Sequence, residues 1–164
     1  MGLRLPGALE QLLNDLGYVW PEIDEDNLLR LGGTWMNLSG TISQHAITAD
    51  SHAQRVWTEN NGQAIDAFKD AWLARQAPHD TLHTAAKAST AAGAGLMGAA
   101  AIVLGLKINV LIQLTMLSIE IIEALATAPE TFGASLLEIP VFKEITGRII
   151  NLIINEAING LMSA

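Results

Sequence analysis

Apolar side chains recur along this chain in steps of three and four residues, the spacing of one face of an α-helix. The clearest run starts at Leu28 and proceeds through Leu31, Trp35, Leu38, Ile42, His45, Ala49, His52 and Val56. It has the form of a heptad seam. Because no proline interrupts residues 24–57, it predicts a single helix roughly 50 Å long at about 1.5 Å per residue. Asp24 is placed to cap that helix, with Glu25 and Asp26 in the first turn, where the helix dipole favours negative charge. The run Thr58-Glu59-Asn60-Asn61-Gly62 ends it, since Asn and Gly tolerate left-handed backbone. Ile65, Phe68 and Trp72 resume the spacing in a second helix. Two long helices joined by so short a turn lie antiparallel.

A shorter helix is expected over 7–16, where Leu9, Leu12, Leu13 and Leu16 share a face and Gly17 stops it; Pro21 then enforces an extended entry. Pro78 interrupts the second helix or starts a new one. Beyond it, Leu82, Ala86 and the Ala/Gly-rich stretch 91–106 keep helical register. Gly93, Gly95, Gly98 and Gly105 each cost about 1 kcal/mol relative to Ala inside a helix, which points to close contact with another helix. Segments 108–126, bounded by Pro129, and 141–162 complete the pattern. The expectation is an all-α fold in one domain over 1–164. An antiparallel long helical hairpin over about 24–105 is extended into a multi-helix bundle by C-terminal helices over about 108–162.

Composition narrows the function classes. Of 164 residues, half are apolar and 16% charged, so the chain can bury a core. Nine Lys and Arg against 17 Asp and Glu leave a net charge of -8, the wrong sign for a phosphate backbone, and nucleic acid is not an expected partner. Without cysteine there is no disulfide framework and no thiolate nucleophile. The N-terminus lacks the basic start and long apolar run of a signal peptide.

Three groups of residues invite a chemical reading. His79-Asp80-Thr81-Leu82-His83 has the two-histidine, four-apart spacing of a zincin helix, but a third ligand is not identifiable and Pro78 makes a solvated first turn the simpler account. His45 and His52, seven apart, share the seam and are expected to face its partner, either as a pH-sensitive pair or as hydrogen-bonded seam residues. The uncharged run 91–106, followed after Lys107 by Ile108 to Ile119, approaches the roughly 20 apolar residues of a membrane span. It would insert as a hairpin around Lys107. Asn109, Gln113, Glu120 and Glu123 favour buried helices of a soluble bundle instead. No serine sits in a nucleophile elbow and no glycine-rich phosphate loop follows a strand, so no enzyme, no catalytic residue, no metal ligand and no cofactor is expected.

A long acid-capped helix, Trp57 and Gly62 at the connecting turn, and a second helix running Ala64-Ile65-Asp66-Ala67-Phe68 to Trp72 resemble the WXG (ESAT-like) superfamily of type VII (ESX) secretion proteins. The chain looks most like the longer WXG-like N-terminal domain of actinobacterial polymorphic toxins, in which a stretch like Trp20-Pro21 precedes the cap and a Trp like Trp35 lies in the first helix. The likeness is specific over about 20–72 and compositional beyond, where Lys107 and a Thr131, Gly133, Ser135 element resemble the family's C-terminal helices. Two features depart from the family. Four residues separate Trp57 from Gly62 where short members have one, and the export signal of a tyrosine followed four residues later by an acid occurs only as Tyr18 and Glu22, ahead of the hairpin.

The resemblance implies a noncatalytic targeting and interaction module of a type VII secreted toxin or its partner, acting through helical-bundle pairing. Such a chain is made in the cytoplasm and exported without a cleaved signal peptide, either as a truncated toxin leader or as a stand-alone partner. Its own partner would be another copy, a small WXG-like chain or the secretion machinery. The alternative is a membrane-inserting pore or anchor using 91–126. Leu28, Leu31, Trp35, Leu38 and Ile42 are more than the second helix can cover if Phe68 and Trp72 already pack near the turn, and are the candidate partner-binding residues. Trp57 and Gly62 are the candidate hairpin-turn residues.

Overall fold

The computed structural model describes residues 2–75 and 77–163. Among them are five α-helices: α1 (Gly7–Asp15), α2 (Glu25–Glu59), α3 (Gln63–Leu73), α4 (Pro78–Thr127) and α5 (Ile139–Ser163), with a 3-10 turn at Ala134–Glu138 and no strand. The all-α expectation holds, and the leading helix, the long second helix and the turn at 60–62 fall where the pattern puts them. Gly17 and Gly62 have φ of 86° and 126°, the left-handed backbone that stops α1 and turns the chain from α2 into α3. Asp24 Oδ1 accepts from the Asn27 amide at 3.1 Å, as a helix cap does.

Two boundaries differ from the expected ones. The second arm of the hairpin expected over about 24–105 is two helices, divided at the proline that the sequence marks as an interruption or a new start: Ala74 turns extended (φ -63°, ψ 147°), and α4 begins with Pro78 at its first position, where a missing amide costs nothing. The break expected near Lys107 is absent, and α4 continues for 50 residues through it. A hairpin around Lys107 is therefore not formed; the charge is tolerated inside the helix because it is paired.

The chain divides into two compact units, one of the residues up to Leu28 together with those from Gly98 onward, the other Leu29–Met97. The first unit has a core of large side chains. Leu13 of α1, Val110 and Leu114 of α4 and Ile150 of α5 are buried against one another, with Leu9, Tyr18, Trp20 and Ile153 packed around them. The Tyr18 hydroxyl donates to the Gly147 carbonyl at 2.9 Å and fastens the segment after α1 to α5. The Thr131, Gly133, Ser135 element closes the C-terminal end of α4: Gly133 is left-handed, and the buried Ser135 hydroxyl donates to the Ala124 carbonyl at 2.7 Å.

The second unit is built otherwise. Among the described residues, its buried ones are Gly32, Ser39, Ala46 and Ala53 of α2, Ala77, and Ala86, Ser89 and Gly93 of α4. Every one is Gly, Ala or Ser. The helices touch nearly backbone to backbone, since a Cβ added at Gly32 would stand 2.9 Å from the Gly93 carbonyl oxygen and one at Gly93 2.9 Å from that of Gly32. The close contact expected of the α4 glycines is met at Gly93. It is not met at Gly95, Gly98 or Gly105, where a Cβ would find nothing within 4 Å.

Candidate partner interface

The heptad seam of α2 is displaced by one residue from the row read off the sequence. The buried positions are Glu25, Gly32, Ser39, Ala46 and Ala53, seven apart. One residue is about 100° of helix, so the row through Leu31, Leu38, His45 and His52 turns away from α4. Leu31 and Leu38 are 48% and 44% exposed, Trp35 37%, and His45 and His52 are exposed as well. The expectation that both histidines face a helix of this chain is corrected. Leu28, which belongs to the first unit, and Ile42 are half-buried. Met36 and Ile47, 38% and 56% exposed, lie off that row, and the Met36 side chain is next to Gly93 of α4.

Ser39 shows why the seam lies where it does. Its buried hydroxyl donates to the Ala86 carbonyl at 2.7 Å and lies 2.8 Å from the Thr90 hydroxyl. A small polar side chain fits that spacing and satisfies its own hydrogen bonds, whereas a leucine at the position would force the helices apart.

At the α2–α3 end, five rings form a continuous chain. Trp57 lies 6.0 Å from Phe68, Phe68 5.9 Å from Trp72, Trp72 stacks on His79 at 5.2 Å and 10°, and His79 meets His83 edge-on at 6.3 Å. Asp50 of α2 ties the ladder together, accepting from Trp72 Nε1 at 3.1 Å through one oxygen and lying 3.0 Å from His83 Nε2 through the other. The hydrogen bond with His83 holds the Asp50 carboxyl below the usual carboxylate range; burial opposes this, and the Trp72 indole adds to it. His79 Nδ1 is buried without a hydrogen-bond partner. Among the described residues no three His, Asp or Glu side chains gather as a metal site. The two histidines of the zincin-like spacing are instead parts of this ladder, Trp57 is its other end, and Gly62 is the left-handed residue that starts α3.

In the first unit the chemistry gathers at Lys107, 2% exposed in α4. Its ammonium donates to Glu25 Oε2 at 2.7 Å and to the Ile23 carbonyl at 2.6 Å, with the Trp20 ring 5.9 Å away. Glu25 also accepts from the Leu3 amide, and Trp20 Nε1 donates to the Leu3 carbonyl at 3.3 Å. Burial by itself would raise the Glu25 carboxyl. The Lys107 ammonium and the amides of Leu3 and Glu25 more than offset it and lower the pKa to about 2. Beside the pair is an open cavity of about 480 Å³, lined by Arg4, Trp20, Pro21 and Asp24 among others.

A family model described as the WXG100 like domain matches residues 6–149. The chain belongs to that family. Comparison with curated proteins finds no match, and comparison with solved structures finds none either. The WXG100-like assignment makes this a helical protein associated with type VII secretion, and it covers the small-residue seam and the first part of α5. Asp50, the Glu25–Lys107 pair and the Gly32–Gly93 contact escaped the hydropathy pattern, because none is a large apolar residue. The seven-residue recurrence of Glu25, Gly32, Ser39, Ala46 and Ala53 marks the α2 side of the last two; Asp50, Lys107 and Gly93 lie outside it.

Proposed function

We propose that this WXG100-like chain is a noncatalytic targeting and interaction module of a type VII secreted toxin or of that toxin's partner, made in the cytoplasm and exported without a cleaved signal peptide. It works by helical pairing through the outward row of α2. The observation that carries this reading is the core of the second unit. Burial is worth about 25 cal/mol per Å² of apolar surface, and Gly, Ala and Ser contribute little of it, while Leu31, Trp35 and Leu38 stand outside. A unit with its large side chains on the surface gains its apolar burial from something laid over them. Another helical chain placed along that row supplies the missing layer, with Trp35 as its largest anchor.

The test is Leu38→Glu. Because Leu38 is 44% exposed, the variant is expected to keep its helical circular dichroism and melting temperature yet lose association with the complex co-purified from the native source. Unchanged association of that variant, by mass of the complex, removes the pairing reading.

A second reading has one observation in its favour. The most apolar 18-residue window within 63–127 has a mean hydropathy of 2.0 and only 22% of it is buried. A membrane-inserting element using 91–126 would present such a surface. It would also carry Lys107 into lipid, where Glu25 must follow or the ammonium loses its partner. Flotation with lipid vesicles separates the two readings.

A further inference from the structure

The dipeptide Asn-Gly occurs twice in the chain, as Asn61-Gly62 and as Asn159-Gly160. An asparagine followed by glycine is chemically labile, because no side chain on the glycine hinders its amide nitrogen from reaching the asparagine side-chain carbonyl carbon. Attack forms a nitrogen–carbon bond and closes a five-membered succinimide, the bond to the side-chain nitrogen breaks, and ammonia leaves with the proton. Water then opens the ring at one of its two carbonyls. One opening gives aspartate. The other gives isoaspartate, in which the main chain runs through the former side chain and is longer by a methylene. Water is the only co-reactant.

The two dipeptides are alike in sequence, and both asparagines are exposed. Their backbones differ. Gly160 lies inside α5, where its amide donates to the carbonyl four residues back and is held away from the Asn159 side chain. A Cβ at Gly160 would stand 3.3 Å from Ile102, so the position is also packed. Asn61 and Gly62 lie between α2 and α3, outside either helix. The Gly62 carbonyl accepts from the Ile65 and Asp66 amides at 2.9 and 3.0 Å, which starts α3. Its own amide and the Asn61 side chain make no hydrogen bond among the described residues. Asn60 is protected by comparison: its side-chain amide donates to the Val56 carbonyl at 2.9 Å, and the residue after it is not glycine.

We propose that Asn61 is a self-modification site, converting through a succinimide with Gly62 to aspartate and isoaspartate, and that the isoaspartyl form loosens α3 from α2. The site lies between the first two rings of the ladder, since Trp57 precedes it and Phe68, 6.0 Å from Trp57, follows it. No residue of α3 is buried, so little besides the ladder and Asp50 opposes a shift of the helix. A methylene inserted in the turn moves the start of α3 relative to the end of α2 and disturbs that ring contact. The aspartyl form keeps the length of the chain and sets a carboxylate ahead of the α3 N-terminus, where the helix dipole favours it. The two products therefore act in opposite senses. None of this rests on pairing through α2.

The full chain is to be held in mildly alkaline buffer, and its peptides followed by mass spectrometry and by enzymatic methylation of isoaspartyl carboxylates. Asn61 is expected to convert several-fold faster than Asn159 while the chain is folded, and the two at similar rates in urea, because there the backbones are alike. Isoaspartate should accumulate in the Asn61 peptide, and tryptophan fluorescence should change in step with it. Asn61→Ser has no amide to lose and should keep its fluorescence through the same treatment. Equal conversion of Asn61 and Asn159 in the folded chain, or survival of Asn61 as the amide, overturns the site. Fluorescence that stays constant while isoaspartate accumulates, or that changes equally in Asn61→Ser, overturns its effect on α3.

Discussion

Single residues carry unequal weight here, and the buried ion pair carries the most. Lys107 and Glu25 have side chains 3% exposed. Removing one partner leaves the other charged and dry. Lys107→Ala is expected to cost about 3–5 kcal/mol in urea denaturation, whereas the double replacement Lys107→Met with Glu25→Gln should recover most of it. The Glu25 carboxyl is lowered from 4.5 to about 2 in the folded chain, so the unfolded state binds the proton first. Its contribution is complete above pH 4.5 and is lost as the pH falls through about 2. At Gly32 the constraint is steric: with the Gly93 carbonyl 2.9 Å from where its Cβ would stand, Gly32→Ala should destabilise by about 1–3 kcal/mol despite its better helix propensity. Gly105→Ala, with open space at that position, is the matched control and should not destabilise the isolated fold.

At the scale of elements, α3 depends on its ring ladder and on Asp50. None of its residues is buried, so it has no core of its own to hold it against α2. The folded Asp50 carboxyl titrates below its ordinary value of 3.8. Its contribution is therefore present above that value and is lost as the pH falls through the depressed one. Asp50→Asn keeps the shape and removes the charge. The variant is expected to lose the acid-dependent part of α3 docking, read as a flatter change in tryptophan fluorescence between neutral pH and pH 3, while far-ultraviolet dichroism from the long helices stays near that of the parent.

For the whole molecule, the two units should differ in stability although α2 and α4 have residues in both. Large buried side chains such as Leu13, Leu114 and Ile150 belong to the first unit, and the buried positions of the second are Gly, Ala and Ser. Amide hydrogen exchange is expected to be slower over 100–124 than over 78–97 of the same helix. Binding of a partner on the α2 row should slow the second stretch selectively. Uniform protection along α4 would show that small-residue packing suffices by itself.

The sequence alone determined the helical class, the ends of α1, the cap at Asp24, the turn at Gly62 and the family, because each follows from spacing, a left-handed glycine or a local hydrogen bond. It also determined that α2 carries heptads, but not which side faces inward. A hydropathy pattern weights Leu31 and Leu38 over Gly32 and Ser39, and the fold chose the small residues because helices that nearly touch admit nothing larger. The same holds at Lys107, which reads as a break in an apolar run until Glu25, 82 residues earlier, is seen to neutralise it. The histidines of 79–83 resembled a metal site by spacing, yet their neighbours in space are Trp72 and Asp50. Register, charge pairing and ring stacking depend on residues distant in the chain, and only tertiary packing brings those together.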